Sequence, residues 1–416
     1  MSQPAPGRTD RSWSPWRVVV AFGTVSLAAD MVYEGARSVY GPLLASLGAS
    51  ALVVATVTGA GEAAALVLRL VSGTLADRTR RYWTVTIAGY GLTAVCVPLL
   101  AVTPFLGAAG LAVATTLILS ERVGKAIRSP AKSALLADAA AQVGMGRGLG
   151  VHKALDQIGS FAGPLLVAAL IAAAGGAVWP GLAVLAVPGA VAMVLLVRTR
   201  RGAPEPAAVP VRPAGSPTTA AMPPTLRWFA AASALCTAGL VTYGLIGFHL
   251  VTDDLVPAAG VPVLYAGAMA AGALAALATG EAYDRVGART LFALPFLVAA
   301  VPALAFGGTL AAVVPGVLLW GAAVGVQDST VKALVADLAA PGRRATAYGI
   351  VAAVQGAGAI LGGVATGALY QRSTATLTIA VAATQLAALV LLAASALRGW
   401  PQPAPRLPAT VSGDQR

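Results

Sequence analysis

Twelve stretches of this chain are each long and apolar enough to cross a lipid bilayer, and little of the chain is left over. They run at about 17–40, 51–76, 82–101, 105–127, 148–173, 177–197, 227–251, 260–282, 289–307, 311–334, 346–370 and 374–397. Crossing the ~30 Å hydrocarbon core takes about 20 residues of helix at about 1.5 Å each. Only 11% of the residues are charged, against roughly 25% in a soluble domain. In lipid every backbone polar group must be paired within the chain. The runs lack the short alternation of barrel strands, so they read as helices. A disordered chain and an ordinary soluble enzyme are excluded. So is a disulfide scaffold, because Cys96 and Cys236 both fall inside apolar runs.

The sixth and seventh runs are separated by 198–226, which holds seven prolines and almost nothing that could build a core. The expected organisation is a six-helix half over 1–197, a proline-rich cytoplasmic linker over 198–226, a second six-helix half over 227–399 and a cytoplasmic tail over 400–416. With the N-terminus inside, Arg372 is the one basic residue in an expected external loop, while nearly all other Lys and Arg outside the spans fall on the cytoplasmic side. Both termini are therefore expected in the cytoplasm, with the protein in the inner (plasma) membrane of a bacterium. The net charge of +12 follows from this topology, and nucleic acid is not expected as a partner. Ser26 to Ala29 would suit signal cleavage, but removing the first run would leave eleven spans and break the symmetry between the halves.

The halves repeat each other. Gly73-x3-Asp77-Arg78 follows the second run and Gly280-x3-Asp284-Arg285 follows the eighth. Further on, Asp138, Gly150 and Gly163 match Asp337, Gly349 and Gly362 at one constant offset. A duplicated six-helix unit is a transporter architecture.

These motifs resemble those of the major facilitator superfamily, over nearly the whole chain. The second loop, with Gly280, Asp284, Arg285, Gly287 and Arg289, is the fuller match. The first, with Gly73, Asp77, Arg78 and Arg81, has Arg80 where the family usually has glycine. The resemblance implies an all-α fold of twelve helices in two parallel repeats, with these loops latching the halves during gating. Gly159, Gly163 and Pro164 in the fifth run resemble the glycine-proline signature of the drug/proton antiporters, although Val167 and Ala168 replace its trailing glycines. Small residues at this spacing also suit close helix packing. The run around Arg122 and Gly124 is similar to the family's arginine-glycine motif in span four, one residue shorter.

Charge inside a membrane is costly and usually faces a cavity or a partner. Asp30, Glu34 and Arg37 share one face of the first helix, as do Glu62 and Arg69 of the second. Glu121 and Arg122 lie midway along span four, and Asp156 and Gln157 lie within span five. Asp30, Glu34, Glu121 and Asp156 are expected to approach one another at the midplane with Arg122 nearby. Such a cluster can bind and release a proton as its surroundings change, with Asp30 and Asp156 the leading candidates. The same residues could instead be structural ion pairs, Glu34–Arg37 and Glu121–Arg122 among them. The second half offers Gln327, Asp328 with Lys332 on the same face, Gln355 and an intramembrane Trp320.

No phosphate-binding loop, paired metal spacing or nucleophile elbow is present in the sequence, so no cofactor and no metal are expected. The sequence reads as a secondary active transporter, not an enzyme, moving a small organic solute by proton-coupled efflux. The alternative is a proton symporter or uniporter taking up a small polar solute, and a polytopic membrane enzyme is the remote one. The expected partners are a small-molecule substrate, protons and membrane lipids, with the protein a monomer.

Overall fold

The structure is a computed structural model and describes residues 13–79, 81–203, 223–339 and 344–400; of Leu70, Ala345 and residues 74–78 only the backbone is described. Asp77 and Arg78 of the first gating loop, and most of the expected linker, thus lie outside the described side chains. All regular structure among the described residues is helical.

In the first half α1 (Pro15–Arg37) starts on Ser14, whose hydroxyl accepts the Arg17 amide at 3.4 Å, with Pro15 in the first turn. The helix breaks at Ser38 and resumes as α2 (Tyr40–Ser46). The Ser38 hydroxyl donates to the Gly35 carbonyl at 2.6 Å, satisfying one of the acceptors that the break frees. There follow α3 (Ala51–Thr79), α4 (Tyr82–Leu99), α5 (Gly110–Val143), α6 (Met145–Ala173), α7 (Trp179–Ala183) and α8 (Ala186–Gly202).

The second half repeats the pattern. α9 (Pro224–Gly239) breaks at Leu240, and Thr242 caps α10 (Tyr243–Thr252) through its side chain. Then come α11 (Gly260–Val286), α12 (Ala293–Ala305) and α13 (Leu310–Val326). A π-helical turn over Gln327–Val331 joins α13 to α14 (Lys332–Leu338), followed by α15 (Arg344–Arg372) and α16 (Thr374–Ala396). The first helix of each half is therefore interrupted, as in transporters that build their sites from discontinuous helices.

Ten segments among the described residues are long and apolar enough to cross a membrane. One of them, Gly260–Ala305, contains both α11 and α12. The 34-residue α5 is not among the ten, because Glu121, Arg122 and Lys125 interrupt its apolar run.

Glycines set how closely the helices pack. A Cβ on Gly159 or Gly163 would collide with the Leu27 and Met31 carbonyls, which brings α6 against α1 backbone to backbone. Gly358 and Gly362 do the same for α15 against the Ala234 and Ala238 carbonyls of α9. The two halves meet through α3 with α15, α6 with α11, and α2 with α10. At the α2–α10 end the closure is tight. A side chain on Gly41 would strike the Gly244 carbonyl, and the Thr58 and Thr242 hydroxyls are 2.7 Å apart. Between the halves lies a cavity whose lining includes Arg69, Lys332 and Tyr348.

Candidate functional site

The cavity between the halves has a volume of about 460 Å³, the size of a site for a small organic molecule. One wall is charged and belongs to the first half. Glu62 on α3 accepts a hydrogen bond from Arg37 Nη2 at 2.6 Å and lies 3.4 Å from Arg122 Nη1. Glu34, one turn before Arg37 on α1, lies 3.7 Å from Arg37 and 3.9 Å from the Lys125 ammonium. Its carboxylate also accepts the Tyr265 hydroxyl of α11, a contact between the halves. Lys125 sits 3.1 Å from the centre of the Tyr33 ring, and the Arg122 guanidinium donates to the Tyr33 hydroxyl. Behind this layer Glu121 is fully buried, 3.5 Å from Arg122 Nε and within reach of the Tyr40 hydroxyl.

A second acidic group lies further along α1. The Asp30 and Asp156 carboxyls lie beside each other, and Lys153 pairs with Asp156 at 2.7 Å. Arg128, buried against Tyr90, approaches Asp30 at 3.9 Å. Beside them Lys132 donates to Ser26 at 3.0 Å and lies 3.2 Å from His152 Nε2.

The opposite wall is mostly neutral. Thr237 on α9 bridges two amides, donating to Gln327 at 3.3 Å and accepting from Gln355 at 3.4 Å. Trp320 lines the cavity while its indole N–H donates to the Val241 carbonyl at the break between α9 and α10, at 2.8 Å. Asp328 and Lys332 pair with each other at 3.0 Å.

The four acids expected to converge do not form one cluster. Glu34, Glu62 and Glu121 are linked through Arg37 and Arg122, while Asp30 lies beside Asp156. Glu34 and Asp30 share one face of α1 a turn apart, so both face α5, Glu34 at Lys125 and Asp30 at Arg128. Gln157 makes no hydrogen bond among the described residues. Of the loop residues, Asp284, Arg285 and Arg289 are exposed; Arg285 pairs with Glu281 at 2.7 Å, and Asp284 has no ion-pair partner among the described residues. Gly287 adopts φ +70°, a turn that suits glycine, whereas Gly280 has open space around it and Gly73 only touches Pro130. Arg81, exposed, stands at the start of α4.

Lys125, Tyr33, Tyr265 and Thr237 were not singled out from sequence. Lys125 could have been, since it stands one turn after Arg122 on the same helix. The tyrosines carry no such signal in an apolar run.

A helical bundle of two repeated halves, with discontinuous first helices and charged residues around a central cavity, is the architecture of a membrane transporter. Residues 20–255 and 251–415 match the Major Facilitator Superfamily, and the chain belongs to that superfamily. Proteins of Mycobacterium tuberculosis and Mycobacterium bovis, both named only as uncharacterised, are 51% identical to it over 391 residues, 93% of this chain and 94% of theirs. Among solved structures, a mutant of the nucleoside transporter NupG superposes with a TM-score of 0.73 at 15% identity, over 92% of this chain and 100% of that one. A POT family transporter in complex with 5-aminolevulinic acid gives 0.70 at 11% identity, over 92% and 97%. A bacterial homologue of the human lysosomal transporter Spinster, inward-facing and unoccupied, gives 0.64 at 14%, over 94% and 97%. The protein is thus a multi-pass membrane transporter of this superfamily.

Proposed function

We propose that this transporter couples the movement of a small organic solute to protons by alternating access. The Asp30–Asp156 carboxyl pair carries the reading, because two adjacent intramembrane carboxyls flanked by Arg128 and Lys153 form a place where a proton can be bound and released. In this form Lys153 and Arg128 are the partners of these carboxylates, and in the alternate form a proton can take their place. A site that trades a proton for an internal cation between two states links the gradient to the conformational change.

The chain crosses the membrane twelve times with both termini in the cytoplasm. The closed α2–α10 end then faces outward and the cavity opens inward. The loops bearing Asp77 and Asp284 gate the inner mouth, and the exposure of Asp284 suits a form in which that gate is released. Outward transport by exchange is the first reading of direction, supported by the resemblance of Gly159, Gly163 and Pro164 to the antiporter signature.

Proton-linked uptake of a polar solute is the second reading. The structural neighbours that support it include a nucleoside transporter and a POT family protein bound to 5-aminolevulinic acid. Purified protein in liposomes separates the two. A solute that dissipates an imposed proton gradient from the opposite side is exchanged, and one that does so from the same side is co-transported. Solute flux that leaves the proton gradient untouched would refute coupling in either form.

A further inference from the structure

The charges that line the cavity nearly cancel. Glu62 is held by Arg37 and Arg122, Glu34 by Arg37 and Lys125, and Asp328 by Lys332. Arg69 breaks the pattern. It stands two turns beyond Glu62 on the same face of α3, lines the cavity, and has no acidic partner among the described residues. It does not simply project into solvent, because its Nε is buried and makes no hydrogen bond. A second donor in the same cavity is also unused. Gln327 Nε2, on the neutral wall, is buried without a partner while its carbonyl oxygen is occupied by Thr237. Lys125 is only loosely engaged, 3.9 Å from Glu34 and with its ammonium over a ring face. The free capacity of the cavity is thus for hydrogen-bond acceptors, and its excess charge is one positive.

We propose that the cavity binds a small organic anion. Its carboxylate or phosphate ester is received by Arg69 with help from Lys125, and its uncharged part lies on Trp320, Thr237 and Gln327. The proposal rests on the reading of this cavity as the transport site, and it names the substrate class. A guanidinium suits either anion, because its planar N–H groups can grip two oxygens at once. A cationic solute would have to displace an existing ion pair to find a carboxylate. A neutral solute would leave Arg69 desolvated and unpaired, which a closing cavity penalises.

The test is a thermal-shift titration of purified full-length protein against matched triples of compounds. Each triple is a small aromatic or aliphatic carboxylic acid, its primary amide and the corresponding amine, with phosphate monoesters as a parallel arm. Stabilisation should be confined to the acids or the phosphate esters, and which arm responds identifies the anion. Arg69→Gln should weaken that binding roughly tenfold or more, and Arg69→Lys should restore part of it. Stabilisation by amides or amines instead, no response to any acid or ester, or equal affinity in Arg69→Gln protein of normal thermal stability would each overturn the proposal. The transport reading fails separately. Acids that bind in an Arg69-dependent way but are not moved in liposomes would leave the anion site standing and remove transport through it. Neutral compounds that are transported would do the reverse.

Discussion

Arg37 and Glu62 meet at 2.6 Å across the α1–α3 contact, and Arg122 approaches the same carboxylate oxygen at 3.4 Å. One acid therefore offsets two guanidiniums, of which Arg122 is only 2% exposed. Glu62→Gln leaves both cations without their shared partner. The cost of breaking a buried pair is about 3–5 kcal/mol, and the cavity side of Glu62 will hydrate part of that, leaving about 2 kcal/mol. The expected outcome is a lower unfolding temperature of the detergent-solubilised protein. Combining Glu62→Gln with Arg37→Gln should cost less than the sum of the two, because they share one interaction. Additive losses would mean that the pair does not hold α1 to α3.

Gly163 tests the packing of the first half. Any side chain there meets the Met31 carbonyl, and α6 can accept it only by moving away from α1. Gly163→Leu should destabilise by about 1–3 kcal/mol or prevent folding. Gly362→Leu should do the same in the second half, where the Ala238 carbonyl takes the place of Met31. Gly280→Ala is the control, since nothing lies within reach of a Cβ at that position. The comparison is read from the yield of monodisperse protein and from its thermal stability.

Much of this architecture was legible in the sequence because length and hydropathy dictate it. An apolar run of about 20 residues must be a helix in lipid, and the matched Gly-x3-Asp-Arg loops marked the duplication. The interruptions at Ser38 and Leu240 were not legible, since a short break costs a span little apolar length. The fourth span was read as ending near 127, whereas α5 continues to Val143, which takes Arg128 into the interior of a single helix. That boundary hid one cation of the site. The intramembrane acids themselves were plain from composition, but their partners were not. Glu34 reaches Tyr265 from the other half of the chain, a contact that no local spacing encodes.

The gating loops give a prediction of transport without binding. Asp284→Asn, and Asp77→Asn in the equivalent loop, should slow flux in liposomes while substrate affinity in detergent stays within about twofold, because a helix-end charge contributes only ~0.3–1 kcal/mol and lies outside the cavity. Normal flux in both variants would remove these loops from the transport cycle.

Orientation is checked by labelling. With both termini cytoplasmic, single cysteines placed at Asp253 and Arg372 should react with a membrane-impermeant maleimide added to intact cells. Cysteines at Arg147 and Arg200 should react only after the cells are opened. Asp253 lies just beyond α10, half exposed at the closed end of the bundle, so accessibility there reports directly on which side the closed end faces. Labelling of Arg147 and Arg200 in intact cells, with Asp253 and Arg372 protected, would invert the topology and place the open cavity outside.

Coupling is where the two acidic groups part company. Asp30 and Asp156 bring two carboxyls side by side, whereas Glu34, Glu62 and Glu121 each face guanidinium or ammonium groups. A proton bound between the first pair relieves the repulsion between like charges, which singles that pair out. Asp30→Asn and Asp156→Asn each remove one titrating member while keeping a polar group of similar shape at the same place. Both should abolish solute accumulation driven by a proton gradient, yet leave solute-for-solute exchange near the wild-type rate, since exchange needs rocking but no net proton transfer. Glu34→Gln and Glu121→Gln should act differently. The first loosens the contact with Tyr265 and should slow exchange as well, and the second should register as a loss of stability. Driven flux and exchange, measured side by side in the same liposomes, separate these outcomes. If Asp30→Asn and Asp156→Asn both keep gradient-driven accumulation, the carboxyl pair is a structural bridge between α1 and α6 and the proton must travel elsewhere.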